Sequence, residues 1–586
     1  MNQPTLVPYP LRVLLGRIAE EWTTRQRIFD MPTGRFHRSD PDIDLSVMVG
    51  QQPAATPIGP AAGPHTQLAQ NIVLGWLAGA RAFELKTVQV LDELEIPRPC
   101  IDMESVGYNV EWSQELRIAQ SVEEYTKAWM LLHLLGSWEP LRELIGDPGP
   151  HVFDMSVGYD LAGIESQAMR GFVGGLLDAA TTIDRLRSEI PEPFTALRDF
   201  PFPSRLVDGV TLSTFHGCPP EEIEAIARHL MGEYGLDVVV KLNPTLLGLD
   251  SVAAILDRLG HGSVPLDRAA FEADLQYERG LAMIESLQAF AADQSRNFGI
   301  KLTNTLIVGN HRERLPGDTM YLSGRPLHVL AMTLLDRLMR DLPGLLGLGS
   351  RPGAVQVSFS AGIDRDNVAD AVGLGLVPVT VCTNLLKPGG YGNLSGMLKA
   401  LGAEMTKAGC RDIGQWVDHA ESAAVAAGHR DAVAAYASRL GGDEGVLRFG
   451  AAAPEKRHRE VDRDLQAFDC VSCNLCVIVC PNDAMLHIPT PEGLGLTERW
   501  QYFCLAELCN DCGNCTTFCP ERGDPFRAKP RVFLDETIWS EDPIPGYLVT
   551  GNGALTVNAA EAAPDLDLVR ALLTTGEGLP IRTGDL

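Results

Sequence analysis

Two cysteine runs near the C-terminus constrain this chain more than any other feature. The first is Cys470-x2-Cys473-x2-Cys476-x3-Cys480, followed by Pro481. The second is Cys509-x2-Cys512-x2-Cys515-x3-Cys519, followed by Pro520. A tight loop of this spacing brings three thiolates onto one iron–sulfur cubane, and the fourth cysteine, just before proline, reaches across to the other cluster. The spacing therefore predicts one [4Fe–4S] cluster on Cys470, Cys473, Cys476 and Cys519. A second falls to Cys509, Cys512, Cys515 and Cys480. The competing readings are a disulfide framework and a zinc module. Disulfides suit small secreted domains, and a zinc site needs only four ligands. Here eight cysteines repeat one frame, with Cys470 and Cys509 39 residues apart. Cys504 falls outside the frame and reads as a bystander near the second cluster. The chemistry that such a module implies is electron transfer.

At 586 residues the chain is too long for one ordinary domain. Its 76 acidic and 49 basic residues give a formal charge of −27. That argues against nucleic acid as a partner, because phosphate binding wants a basic face. It suits docking to a protein with a basic patch. Nine of the 13 cysteines lie between 470 and 519, and Cys100, Cys218, Cys382 and Cys410 are scattered with no pairing pattern. Nothing calls for an oxidising compartment. The first residues lack a basic start, apolar run and cleavage site, and no run of 18 apolar residues exists. The expectation is a cytoplasmic protein without a membrane span.

Residues 1–50 read as an N-terminal arm with one helix over 10–27. From about 51 to 405, β-type runs alternate with amphipathic helical stretches. The strands include 82–88, 151–156, 209–215, 236–242, 298–303, 354–360 and 377–382. The helices include 220–233, 327–340 and 365–373. Such alternation over roughly 350 residues predicts an α/β fold with a parallel sheet closed as a (β/α)8 TIM barrel. A doubly wound open sheet is the alternative, but no GxGxxG follows an early strand. The Ala-rich 406–460 reads as a helical linker rather than a catalytic segment. The cluster-binding domain spans about 461–530, and the tail 531–586 receives no function.

Polar and glycine residues gather at the predicted C-terminal strand ends, the face where such barrels keep their sites. VVVKLNP carries Lys241, KLTNTL carries Asn304 and Thr305, VSFSAGID carries Gly362, and VPVTVCTNLL carries Cys382 and Thr383. The last two segments offer backbone N–H groups and a hydroxyl to a phosphate. Lys241 by itself can be a strand-end lysine paired with a carboxylate. Asn304 offers both a donor and an acceptor, which suits the amide edge of a pyrimidine or purine, or simply caps a turn.

Taken in order, these segments resemble the FMN-binding catalytic part of dihydropyrimidine dehydrogenase, within the FMN-dependent dihydroorotate/dihydropyrimidine dehydrogenase type of barrel. They are more similar still to bacterial subunits of the selenate reductase type. GPAAGPHTQ matches the first-strand turn beside FMN, with Ala62 and Gly63. FELKTV supplies the FMN lysine as Lys86, and NVEWSQEL the family asparagine as Asn109. VVVKLNP supplies a second flavin lysine, Lys241, and TNT the substrate-contacting Asn304 and Thr305. YLSGRPLHVLAMTLLDRL supplies Ser323 and Gly324, and SAGID and VCT supply Gly362, Cys382 and Thr383. The resemblance spans about 51–405 and 461–525. It implies FMN, two [4Fe–4S] clusters in an α+β ferredoxin-like domain, and redox chemistry on an N-heterocycle.

One departure concerns the acid. The relatives carry a cysteine acid on a mobile loop, whereas TLSTFHGCPPEEIEAIARHL runs straight into a helix at Pro219 and Pro220. Cys218 or His216 is the candidate acid, the latter able to carry a proton near neutral pH, and Cys218 could instead merely line the pocket. No FAD- or NAD-binding glycine fingerprint occurs, so the expected partner is a separate FAD/NAD(P)H-binding flavoprotein like the small glutamate synthase subunit, in a hetero-oligomer. The second reading is an electron-transfer or docking subunit of a larger oxidoreductase, without turnover of its own.

Overall fold

The computed structural model of the chain describes residues 6–91, 94–110, 113–213, 218–348, 355–453, 460–550, 555–557, 566–574 and 579. Its centre is a ring of eight strands: β1 (Ile58–Pro60), β2 (Ala82–Glu84), β3 (Val152–Val157), β4 (Val207–Ser213), β5 (Asp237–Leu242), β6 (Phe298–Leu302), β7 (Val355–Phe359) and β8 (Val379–Val381). The order is β1-β8-β7-β6-β5-β4-β3-β2, and every neighbouring pair is parallel. Across the remaining seam, Arg81 N–H donates to the Ile58 carbonyl at 3.1 Å. Gly59 permits that approach, since a Cβ there would stand 1.7 Å from the Ala82 carbonyl oxygen.

A principal helix follows each strand: α1 (Ala69–Leu77), α2 (Ile118–Ser137), α3 (Gln167–Leu177), α4 (Pro220–Tyr234), α5 (Tyr277–Asp293), α6 (Arg325–Asp341), α7 (Val368–Gly373) and α8 (Gly392–Ala408). Local chemistry sets their ends. α4 starts with Pro220 in its first turn beside Glu221 and Glu222, and stops at Gly235 with φ +63°. The β5 run DVVVKL is rich in β-branched residues, as a strand lined by helices requires. The TIM barrel is thus the observed core, and the open doubly wound sheet is excluded. The strand missing from the sequence reading is β1, three residues long and ending in proline, too short to show a period.

Two excursions, after β2 and after β6, pair as a small antiparallel sheet. Its strands are 101–102, 108–109, 306–309 and 319–322. At the opposite end of the barrel, the hairpin of 47–49 and 52–54 is tied to β7 by Gln356. Its amide accepts from Gly50 N–H and donates to the Met48 carbonyl, both at 2.9 Å.

After the barrel come α9 (Ile413–Ala426), α10 (Ala432–Gly441) and α11 (Asp443–Phe449), with α10 and α11 packed on α6. The C-terminal module is a five-stranded sheet: β9 (Met485–Pro489), β10 (Trp500–Leu505), β11 (Arg531–Phe533), β12 (Tyr547–Val549) and β13 (Leu555–Val557). Its last three strands come from the tail that the sequence left without a role. The arm helix Leu11–Arg25 joins module to barrel. Arg17, 1% exposed, bonds Glu21 at 2.6 Å and Asp483 at 2.5 Å. Tyr9 donates to Glu507 at 3.2 Å, and its carbonyl accepts from Lys127 at 2.7 Å. Among the described residues, no helix is long and apolar enough to cross a membrane.

Candidate functional site

The C-terminal ends of the barrel strands and the small antiparallel sheet enclose a cavity of about 540 Å³. Ala62, Gly63, Lys86, Asn109, Lys241, Asn304, Thr305, Ser323, Gly324, Gly362, Cys382 and Thr383 all line it. The twelve barrel residues singled out for cofactor or substrate therefore converge on one space. Tyr108 and Tyr321 add aromatic surface from the small sheet.

The floor of the cavity is charged. Lys241 and Lys301 are register partners on β5 and β6. Glu84, on β2, accepts from Lys241 at 2.9 Å and from Lys301, and also from Ala62 N–H at 3.1 Å. Lys301 further donates to Thr380 Oγ1 at 2.7 Å. Burial pushes the Glu84 carboxyl up, but the two ammonium groups outweigh it and hold it down at about 2. Burial lowers Lys301 from the usual lysine range, against the pull of Glu84. One carboxylate and two ammonium groups leave this layer a net positive charge facing the ligand space. Below it lies a smaller cavity of about 60 Å³, lined by Glu84, Asp154, Thr211, Lys301 and Thr380 among others. There burial, then Glu84, raises Asp154 to about 7 against its hydrogen bond from Thr211.

The opposite end of the main cavity is built of turns. Gly324 has φ +83° and caps α6; a Cβ there would meet the Val106 carbonyl oxygen at 2.1 Å. Gly362 has φ +55°, and its Cβ would stand 2.6 Å from the Gly324 carbonyl oxygen. Only glycine fits both positions. Thr383 donates to Ser323 at 3.0 Å. This end offers a helix N-terminus, two glycine turns and two hydroxyls, which suits an anionic group. The lysine end suits a polar ring that gains negative charge.

Asn304 stands on a polar chain. Its amide N–H donates to Asn243 Oδ1 at 2.8 Å, and Asn243 donates to Asp274 at 3.2 Å. Thr245 also donates to Asp274, at 2.7 Å. Cys218 lies elsewhere. It lines a separate small pocket with Asn243 and Asp274, its thiol 3.9 Å from the Pro219 carbonyl. Burial, then Glu222, pushes that thiol up to about 12. Cys218 is thus outside the lining of the main cavity, in a pocket that shares Lys241 with it. His216 lies outside the described residues.

The cysteine runs also come together crosswise. Cys470, Cys473, Cys476 and Cys519 line one small pocket between their loops. Burial, then the neighbouring Cys515, Cys473 and Cys470, drives the Cys476 thiol well above its ordinary value. Cys480, Cys512 and Cys515 are raised likewise, first by burial and then by thiols of the second set and its neighbours. Cys470, Cys509, Cys512 and Cys515 are buried, Cys476, Cys480 and Cys519 partly buried, and Cys473 exposed. Among the described residues, no three or more His, Cys, Asp or Glu side chains close around a single metal ion. A cubane does not require that arrangement, since each thiolate binds its own iron. Cys504 is fully buried on β10 and hydrogen-bonds Cys509.

The second cysteine loop touches the cavity wall. The Cys512 carbonyl accepts from Cys100 N–H at 3.2 Å and from Ile101 N–H at 3.0 Å, and Ile101 lines the cavity. Asn514 donates to the carbonyls of Leu386, also a lining residue, at 2.9 Å and of Val479 at 2.7 Å. Glu84, Lys301 and Asn243 escaped the sequence reading. Lys301 had a signal: VVVKL and FGIKL place lysine at the same step of consecutive strands.

A family model described as "Oxidoreductase YgfK, N-terminal TIM-barrel domain" matches residues 29–433. The YgfK oxidoreductase of Escherichia coli (strain K12) is 42% identical over 413 residues, covering 67% of this chain and 39% of that protein. The chain thus spans about two fifths of the length of the curated relatives it matches. A pyruvate-flavodoxin oxidoreductase of Enterobacter agglomerans is 27% identical over 104 residues, covering 15% of this chain and 9% of that one. Among solved structures, ligand-free DHODH from Eimeria tenella aligns with a TM-score of 0.41 and 16% identity, over 69% of this chain and 99% of that one.

Proposed function

The chain belongs to the YgfK oxidoreductase family, and from that premise we propose that it is an iron–sulfur flavoprotein unit that moves electrons between two [4Fe–4S] clusters and FMN. Gly324, Gly362 and Thr383 would hold the FMN phosphate. Lys86, Lys241 and the Ala62–Gly63 turn would hold its ring. The bound flavin supplies the two-electron chemistry, and the lysine layer of this chain favours its reduced, anionic form. Asn304 and Thr305 face an amide-bearing ring, a pyrimidine or purine, that is reduced or whose dihydro form is oxidised.

The observation that carries the reading is the contact of Cys512 with Ile101, which joins the second cysteine loop to the cavity wall. Cys470, Cys473, Cys476 and Cys519 would hold one cluster and Cys480, Cys509, Cys512 and Cys515 the other, and the second set, bonded to the cavity wall, would be the one beside FMN. Cys473, the exposed member, marks the entry side. The donor is an NAD(P)H-dependent flavoprotein unit outside this sequence, meeting the chain in the cytoplasm. A pure docking subunit has no use for a cavity with a paired lysine floor and a glycine-built anion end, so turnover is the better reading. Anaerobic purification, a visible spectrum, cofactor extraction and a substrate screen with a chemical reductant test it. Extracted FMN with about eight irons per chain supports the reading. A colourless protein without flavin ends it.

A further inference from the structure

The turn after β7, residues 361–364, forms one wall at the glycine end of the cavity, and three side chains hold it from behind. His328 Nδ1, on α6, lies 2.9 Å from the Ala361 carbonyl oxygen. Asn367 donates to the Gly362 carbonyl at 2.9 Å. Arg448, on α11, stands 3.8 Å from Asp364 Oδ1.

His328 is fully buried, and burial holds its pKa near 3, so the ring is neutral. A neutral imidazole carries one N–H. The Ala361 carbonyl can only accept, so the proton sits on Nδ1. Nε2 must then accept, and the group beside it is the Tyr436 hydroxyl of α10, at 2.8 Å. Phe449, at the end of α11, stacks on the same ring with centroids 4.7 Å apart and planes within 3°. The ring is thus fixed in tautomer by the Ala361 carbonyl, held at Nε2 by the Tyr436 hydroxyl and in plane by Phe449, and aimed at the carbonyl next to Gly362. Tyr436, Arg448 and Phe449 all lie beyond residue 433, where the match to the family's barrel domain ends.

We propose that the post-barrel helices complete the anion end of the cavity, with Tyr436 as a positioning residue that acts through His328 on the 361–364 turn, and that the ligand group so positioned is the phosphate of FMN. Gly362 explains why such bracing is needed. Its left-handed backbone packs against the Gly324 carbonyl and the His328 Cβ, so a small shift of the turn disturbs both glycine turns at once. The helices α10 and α11 then brace the binding site rather than merely link it to the next module. The inference rests on the flavin reading above.

The test uses the full chain, freed of flavin and titrated separately with FMN and with riboflavin, which lacks the phosphate. Tyr436→Phe removes one hydroxyl and keeps the ring. Its expected effect is an FMN dissociation constant raised about fivefold to tenfold, an unchanged riboflavin constant, and unchanged iron content. His328→Gln, which can donate to Ala361 and accept from Tyr436, should stay closer to wild type than His328→Leu. Equal weakening of FMN and riboflavin, or no weakening of FMN, overturns the inference while leaving the flavin reading intact. A wild-type chain that binds neither flavin overturns both.

Discussion

Lys241 Nζ stands 2.9 Å from Glu84 Oε1 on the floor of the barrel cavity, and Lys301 holds the other oxygen of the same carboxylate. The positive charge available to a flavin is therefore what remains after Glu84 has offset one of two lysines. Lys241→Met should lower the flavin reduction potential, because the reduced anion loses a cation. Glu84→Gln should raise it, and should also destabilise the barrel by roughly 3–5 kcal/mol, because two buried ammonium groups lose their partner. Spectroelectrochemistry of the two variants checks this. Shifts of the same sign would disprove the pairing as the source of the field.

Asp154 gives a pH dependence. Burial raises its carboxyl from the ordinary 3.8 to about 7. The folded chain therefore keeps a proton there that the unfolded chain releases above about pH 4. The neutral acid is accommodated in full below that value. As pH rises from about 4 to 7, this site removes stability, on the order of 4 kcal/mol in all. Asp154→Asn should flatten that part of the profile in denaturant titrations of the barrel followed by tryptophan fluorescence. A parallel profile in the variant would show that Asp154 is not the titrating group.

Much of this was legible in the sequence, for identifiable reasons. The cysteine frame encodes loop geometry in its spacing, so the crosswise grouping with Cys519 and Cys480 could be read directly. Seven strands of six or seven residues announced the barrel, and their polar C-terminal ends announced the cavity. What stayed hidden depends on partners distant in sequence. Glu84 is a strand-end residue until Lys241 and Lys301 are brought against it from β5 and β6. Tyr436 sits in an alanine-rich helix that looks like a linker until α10 packs on α6. Cys218, singled out by its match to the relatives' acid-bearing stretch, lines a small pocket that shares Lys241 with the cavity, a placement that no spacing in the sequence encodes.

The clusters make a crosswise prediction. Cys476→Ser should damage the cluster of its own run and leave the other largely assembled. Cys480→Ser should damage the cluster whose other three ligands are Cys509, Cys512 and Cys515. Because that second loop is bonded to Ile101, Cys480→Ser should also slow flavin reduction through the clusters more than it lowers flavin content. Iron analysis with low-temperature EPR of the reduced variants reads this out. An iron content of one or two per chain, with tightly held zinc, would refute the cluster assignment.

The last prediction concerns where electrons enter. The sequence holds no dinucleotide-binding glycine fingerprint, and its relatives extend well beyond the matched region. This chain alone should therefore not be reduced by NADH or NADPH at a useful rate, and it should be when a flavoprotein with that fingerprint is added. Entry falls at the exposed Cys473 side, since the opposite loop is already occupied by the cavity wall. With a formal charge of −27 the chain should attract a basic docking face, so the encounter should slow as salt rises. Stopped-flow bleaching of the cluster absorbance, with and without the partner at low and high salt, checks each part. Rapid bleaching of the isolated chain by NAD(P)H would place the electron port within these 586 residues and overturn the scheme.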